Sequence, residues 1–469
     1  MRYINLNTND NFGKRLRSLV LPMTFQYFMY ALVPVADAVM LVALNQDAMS
    51  SVSLAAQVSF VRDLFLFAIT TGASMLAAQY WGKGDIASIE KLLGYIYKLA
   101  LPIALVFFAL TLIVPGAVIR IFTDEPEIVR YGISYLRVVS FSCVLMSLAS
   151  IELSIMKNIG QVKEATVISI IMVLTNVCLN AVFIYGLLGL PQMETAGAAL
   201  ATTISALVGY LLCVFVRLKK KVLRFKISSI FSTPKEITSI YRKHTFPVLL
   251  NQLTWGIGFT MISVIMGHLG SDAIAANSIV AVVKDLISCF CFALSTAGSI
   301  LVGNELGAGR LDEACVCGRK VVRLAIVSGA VAGLVILALS PLIVSAVNLT
   351  DQAKDYLFWM LVMCVYYMVG RSINGNVITG IFTAGGDTKF GFNKPKVSLP
   401  EEEIISIVDE LIISLEEFNA DDAEACLKKL SNANLDYDRT KAVDTASEML
   451  ALFKYDEVKT LIENAFMVR

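Results

Sequence analysis

Long apolar runs separated by short polar stretches fill most of the first 385 residues and predict ten helical spans. They cover roughly 19–44, 53–79, 95–119, 131–156, 165–189, 195–216, 245–268, 276–304, 321–347 and 356–383. A helix crosses a bilayer core with about 20 residues, so each run is long enough. Clusters of lysine and arginine alternate with loops poor in both. Lys14, Arg15 and Arg17 precede the first run, Lys83 and Lys91 follow the second, and Lys157 and Lys163 follow the fourth. Arg217 and Lys219–Lys221 follow the sixth, Arg310, Arg319, Lys320 and Arg323 the eighth, and Lys389, Lys394 and Lys396 the tenth. Basic loops stay on the cytoplasmic side. The pattern predicts a multi-pass protein of the plasma membrane with both termini cytoplasmic.

The pattern changes near Asn393. Pro400 followed by Glu401, Glu402 and Glu403 is a helix start, because acids suit the N-terminal end of the helix dipole. Ile404, Ile407, Val408, Leu411, Ile412 and Leu415 then form one apolar stripe. Further helices are expected near 421–429, 438–452 and 455–467. The tail, 393–469, thus reads as a small soluble helical bundle.

The chain also repeats itself. At a shift of 225 residues Pro22 falls on Pro247, Gln26 on Asn251, Asp47-Ala48 on Asp272-Ala273, and Gly82 and Gly84 on Gly307 and Gly309. One residue out of step, GQVK at 160–163 meets GDTK at 386–389. Six spans separate the copies, so both insert in the same direction, as in carriers built from two parallel halves. The first copy continues with spans 165–189 and 195–216, whereas the second turns polar after Thr383. The expected fold is all-α, with two parallel-repeat helical lobes of six spans (1–225) and four spans (226–392) and the tail at 393–469.

Composition agrees. Of 469 residues 57% are hydrophobic and 16% charged, against roughly 25% charged in soluble domains, and the mean hydropathy is +0.70. The tail holds 17 acids and 9 bases, a net of −8, which leaves 30 bases and 21 acids, a net of +9, for residues 1–392. Nine cysteines are scattered without zinc-site spacing and are expected to be reduced and buried. The glycine motifs GKG and GAG lack the phosphate-loop pattern and suit tight turns or close helix approach. No catalytic constellation is expected, and no cofactor or nucleic-acid partner. The partners are the bilayer and a small solute.

Asp37 is the candidate for chemistry. A carboxylate inside a span is costly in lipid, by about 2.5–3.5 kcal/mol on insertion scales. It is either a cation or proton site or an acid that reaches the interface. Pro22 and Pro34 share its span and allow it to bend. Asn176 and Asn180 are four apart and share a helix face, as ion ligands or as interhelical glue. Gln26, Asn251 and Gln252 either line a central cavity or bond between helices. Arg62-Asp63 and Lys284-Asp285 lie inside spans. Helix neighbours do not face each other, so each of these charges is expected to find a partner elsewhere, in a structural or gating role.

VADAVM around Asp37, GASMLAAQYWGKGD at 72–85, TNVCLNAVFIYG at 175–186, GAALATTIS at 197–205, GNELGAG at 303–309 and TAGGDTKF at 383–390 together resemble the multidrug and toxic compound extrusion family. The resemblance covers about ten of that family's twelve helices. It implies two lobes in a V, alternating access, and export of cationic or amphipathic organic solutes driven by sodium ions or protons. It also implies a coupling site of Asp37, Asn176, Asn180 and Thr202, with asparagine at 180 where aspartate is frequent. No cation site is expected in the second lobe, since Pro247 is followed by Asn251, Gln252 and Trp255 without an acid. The tail weakly resembles helical C-terminal extensions of sensor histidine kinases. With no histidine in 393–469 it cannot perform phosphotransfer. An inactive recombined transporter, a membrane-tethered binding module and a flippase of lipid-linked molecules are the alternative readings.

Overall fold

The computed structural model describes residues 11–42, 46–224, 230, 234–347, 349–385, 400–417, 419–431, 433, 435, 437–450 and 455–466. The expected boundaries at 225/226 and 392/393 and the GDTK stretch lie outside these residues. The chain divides into two compact units, Met1–Thr388 and Lys389–Arg469.

The first unit is a bundle of long helices: α1 (Asn11–Val42), α2 (Gln46–Lys83), α3 (Ile86–Ile113), the short α4 (Pro115–Arg120), α5 (Pro126–Asn158), α6 (Val162–Tyr185), α7 (Glu194–Lys220), α8 (Lys235–His268), α9 (Ser271–Gly307), α10 (Leu311–Ala346) and α11 (Asp351–Asn374). Nine helices among the described residues are long and apolar enough to cross a membrane, matching nine of the ten expected spans. The other expected span, 245–268, lies within α8, which has 34 residues. After α11 the chain winds in wider turns over Gly375–Phe382 and ends in the single turn α12, Thr383–Gly385.

Helix ends follow local chemistry. Asp85 caps α3 by accepting from the Ser88 amide at 3.0 Å, which starts this helix nine residues before the expected span at 95. The span expected over 95–119 breaks at Val114, because a residue before proline disfavours the helical conformation and Pro115 cannot donate. Pro115 then opens α4. Gly186 ends α6 at φ +70°, and a Cβ there would meet Gln192 N and Leu190 O at 2.8 Å. Only glycine serves such a turn.

The repeat is visible in the coordinates. α2, α3 and α5 start at 46, 86 and 126, and α9, α10 and α11 start at 271, 311 and 351, so each pair is 225 residues apart. Gly84 and Gly309 adopt φ +79° and +76°. Asp85 N bonds Tyr80 O at 2.9 Å, and its counterpart Arg310 N bonds Glu305 O at 3.0 Å. α1 packs on α9 as α8 packs on α2, and α2 packs on α9 between the copies. α6 and α7 cover α1 and α5 of the first copy. Among the described residues the second copy has no membrane-length helix after α12 to match them.

The second unit has its own core. α13 (Glu401–Glu416), α14 (Ala420–Ser431), α15 (Tyr437–Leu450) and α16 (Tyr455–Phe466) bury the predicted stripe, with Val408 and Leu411 packed against Leu427, Leu430, Val443 and Ile462. Arg439 pairs with Glu401 and Lys459 with Glu416, both at 2.6 Å.

Two expectations are corrected. Arg62 donates from Nε and Nη2 to its neighbour Asp63 at 3.0 and 2.8 Å. The long guanidinium folds back along the helix, so adjacency did not prevent pairing. Cys178 and Cys315 are exposed rather than buried. The Lys284-Asp285 pair behaves as expected: Asp285 on α9 bonds Arg371 on α11 at 3.2 Å, and Lys284 sits 5.0 Å from the Tyr367 ring.

Candidate functional site

Asp37 lies on α1 three residues after Pro34, in a helix that Pro22 also interrupts. Its carboxylate is half-buried and faces α6, where the Asn180 amide donates to Oδ1 at 2.5 Å. The same Asn180 nitrogen donates to Asn176 Oδ1 at 3.3 Å, and Asn176 Nδ2 donates to Thr202 Oγ1 on α7 at 3.2 Å. Thr202 Oγ1 in turn donates to Ala198 O at 3.0 Å. One hydrogen-bonded chain therefore joins three helices and all four residues named for the coupling site. Four-residue spacing on α6 places both asparagines on the face that meets α1 and α7.

Asn176 and Asn180 are buried, and Asn180 Oδ1 has no hydrogen-bond partner. An unpartnered buried oxygen is costly; it belongs to the amide whose nitrogen meets the Asp37 carboxylate and the Asn176 oxygen, and with the Thr202 hydroxyl these neighbouring side chains supply only oxygen ligands. Such an all-oxygen set suits a hard cation or a proton on Asp37. It carries one negative charge. Among the described residues no group of three or more His, Cys, Asp or Glu could hold a metal. Tyr135 of α5 lies within electrostatic reach of Asp37 and packs beside Leu41 and Ile184. The sequence offered no signal for it, because a tyrosine on an apolar helix looks like core.

The three amides expected at a central cavity separate. Gln26 is buried and donates to Ser169 Oγ on α6 at 2.6 Å, where Tyr30 also donates at 2.8 Å. Asn251 is exposed on α8 and Gln252 is half-buried beside it. Tyr27, the repeat counterpart of Gln252, bonds Thr296 of α9 at 2.9 Å and so ties the first copy to the second.

A multi-pass helical membrane protein built from two parallel copies, with a polar cluster inside one of them, is the architecture of a carrier. Solved structures agree on the fold. A MATE protein in the straight conformation superposes with a TM-score of 0.73 at 15% identity, covering 99% of this chain and 97% of that one. An outward-facing multidrug resistance MATE family transporter gives 0.72 at 16% identity, covering 99% and 97%. The MatE family profile matches residues 22–182 and 247–393, and its two matches begin 225 residues apart. The chain belongs to the MatE family. The probable multidrug resistance protein NorM of Thermotoga maritima is 27% identical over 304 residues. That match covers 64% of each protein, so the chain spans just under two thirds of this relative's length. The uncharacterized transporter YisQ of Bacillus subtilis is 22% identical over 82% of this chain and 84% of its own.

Proposed function

We propose that the chain is an antiporter that exports organic solutes by alternating access, driven by entry of a sodium ion or a proton at Asp37. The observation that carries this reading is the hydrogen-bonded array from Asp37 through Asn180 and Asn176 to Thr202, which couples the charge on α1 to α6 and α7. Ion or proton binding changes what Asp37 offers Asn180. With the carboxylate neutralised, α1 bends at Pro34, and the bend shifts the population toward the state that has released solute. α1 also packs on α9 through the Tyr27–Thr296 bond, so its movement reaches the second copy.

Residues 1–225 and 226–392 act as the two lobes, with both termini cytoplasmic by the distribution of lysine and arginine. Gln252 lines the path between them. Cationic or amphipathic solutes fit relatives named as multidrug resistance proteins. Reconstitution tests the proposal. Vesicles holding the protein and a fluorescent cationic dye are given an opposing sodium or proton gradient. One gradient drives the dye against its own, and dye movement indifferent to both gradients overturns the reading.

A further inference from the structure

The second copy has Ile262 where the first has Asp37. It carries a charged cluster of its own, and the sign is reversed. Lys284 and Asp285 of α9 meet Arg371 of α11. Arg371 Nη2 donates to Asp285 Oδ1 at 3.2 Å, and the Lys284 ammonium lies 5.0 Å from the centre of the Tyr367 ring. The Arg371 guanidinium lies 5.9 Å from the same ring. The repeat counterparts of Lys284, Asp285 and Arg371 are Ser59, Phe60 and Met146, so these charges belong to the second copy alone.

The cluster is deep in the helices. At 1.5 Å per residue, Lys284 lies about 20 Å from the Ser271 end of α9 and about 35 Å from its Gly307 end. Ionisable groups at such depth face the bundle interior or water and mark solute and ion paths. Here they do not balance. Two cations share one ring and one acid. Asp285 answers Arg371, and among the described residues Lys284 has no carboxylate partner.

The cluster also borders the first copy. Asp285 and Phe292 are seven residues apart, two helical turns, and so share a face of α9. Phe292 reaches Tyr27 of α1 with 6.0 Å between ring centres, and Thr296, one turn further, bonds the Tyr27 hydroxyl. The Arg371 guanidinium lies 4.8 Å from the Phe292 ring. The rings of Tyr27, Phe292 and Tyr367 thus run from α1 to α11, with Arg371 between the last two and Lys284 at the end. Such a row offers a flat aromatic body a surface beside an excess of positive charge.

We propose that Lys284 and Arg371 bind the anionic group of an aromatic solute, a carboxylate or sulfonate, whose ring packs on Phe292 and Tyr367. A guanidinium has five N–H donors and an ammonium three, so Arg371 can serve a second acceptor after Asp285 has taken one. An anion held by both cations relieves the repulsion between them, and Asp285 competes with it for Arg371. This rests on the exporter reading and extends its amphipathic solutes to anionic ones.

Two dyes that share a xanthene ring system test it: fluorescein, an anion, and pyronin Y, a cation. Binding of each to the purified full-length protein in detergent is read by fluorescence anisotropy at mildly alkaline pH. The parent should bind fluorescein. Lys284→Gln should lower the ratio of fluorescein to pyronin affinity by about tenfold or more, the scale of a hydrogen bond to a charged group, and Lys284→Arg should keep it. Asp285→Asn, which frees Arg371, should raise the ratio, and it decides the matter should Lys284→Gln misfold. A parent that binds no fluorescein, a folded Lys284→Gln protein with the parent's ratio, or an unmoved ratio in Asp285→Asn overturns the proposal and leaves the cations as packing charges. Vesicles separate this from the exporter reading. Gradient-driven movement of pyronin Y without fluorescein binding defeats the anion site alone, whereas movement of neither dye under either gradient defeats the exporter reading.

Discussion

Gly82 of α2 and Gly307 of α9 join the two copies by one contact made twice. A methyl group on Gly82 would meet Asn304 O at 2.1 Å, and one on Gly307 would meet Gln79 O at 1.9 Å. Gln79 and Asn304 are themselves repeat counterparts, as are Gly82 and Gly307. Between them Gly303 faces its own counterpart, with a methyl there 2.8 Å from Ala78 Cβ. A local two-fold axis therefore passes between the ends of α2 and α9, as expected of parallel repeats. Gln79 seals the contact by donating to Ala384 O at 2.7 Å.

This reciprocity predicts matched damage. Gly82→Ala and Gly307→Ala each force two backbones apart, at a cost of about 1–3 kcal/mol for overpacking. Both variants should unfold at lower temperature than the parent, by similar amounts. Gly13→Ala, in α1 with nothing within 4 Å of its added methyl, should be neutral or slightly stabilising, since alanine suits a helix better than glycine. Thermal unfolding of the purified proteins in detergent makes the comparison. Equal losses in all three variants would remove the close approach as the cause.

The ion pair nearby has no such twin. Arg15 of α1 reaches Glu305 of α9 at 2.7 Å, Arg310 binds the other carboxylate oxygen at 2.7 Å, and Glu305 is 2% exposed. The repeat counterparts of Arg15 and Glu305 are Ile240 and Tyr80, which cannot form an ion pair. Glu305→Ala removes the acceptor that Arg15 and Arg310 share, while Arg310 keeps Glu313 at 3.0 Å, and should cost about 1.5–3 kcal/mol, the range for a hydrogen bond to a charged group. Arg15→Ala should cost less, because Arg310 still neutralises the carboxylate. A double-mutant cycle on thermal unfolding should return a coupling energy between residues 15 and 305. Strict additivity would show that the bridge contributes nothing.

Asp85 connects stability to pH. The Ser88 hydroxyl and amide hold its carboxyl below the ordinary carboxylate range. A depressed folded pKa gives stability that is present above the unfolded pKa and lost as pH falls through the folded one. Asp85→Ala removes a helix cap, which costs about 0.5–2 kcal/mol. The difference between variant and parent should be full near neutral pH and shrink in acid below the ordinary carboxylate range. A difference that stays constant into acid would mean that the capping carboxylate is not the origin.

Much of the fold was legible because lipid imposes a simple rule on sequence. Apolar length located the helices, and a constant offset revealed the copies, since Gly84 and Gly309 must serve the same turn. The polar cluster was legible through family motifs, and the structure brings Asp37, Asn176, Asn180 and Thr202 together. What escaped were pairings set by the packing of distant helices. Arg371 as partner of Asp285, 86 residues away, and Ser169 as partner of Gln26, 143 residues away, leave no local period. The Arg62–Asp63 pair escaped for the opposite reason: a flexible guanidinium can defeat a rule drawn from Cβ directions. The break at Val114 was written in Pro115 and was outweighed by the apolar run around it.

The coupling role of Asp37 is tested most directly by Asp37→Asn in vesicles under an imposed sodium or proton gradient. The substitution keeps size and an oxygen for the Asn180 amide while removing the charge. The account predicts that ion-driven dye accumulation is abolished while thermal unfolding stays close to the parent. Accumulation equal to the parent, under the gradient that drives the parent, would contradict it.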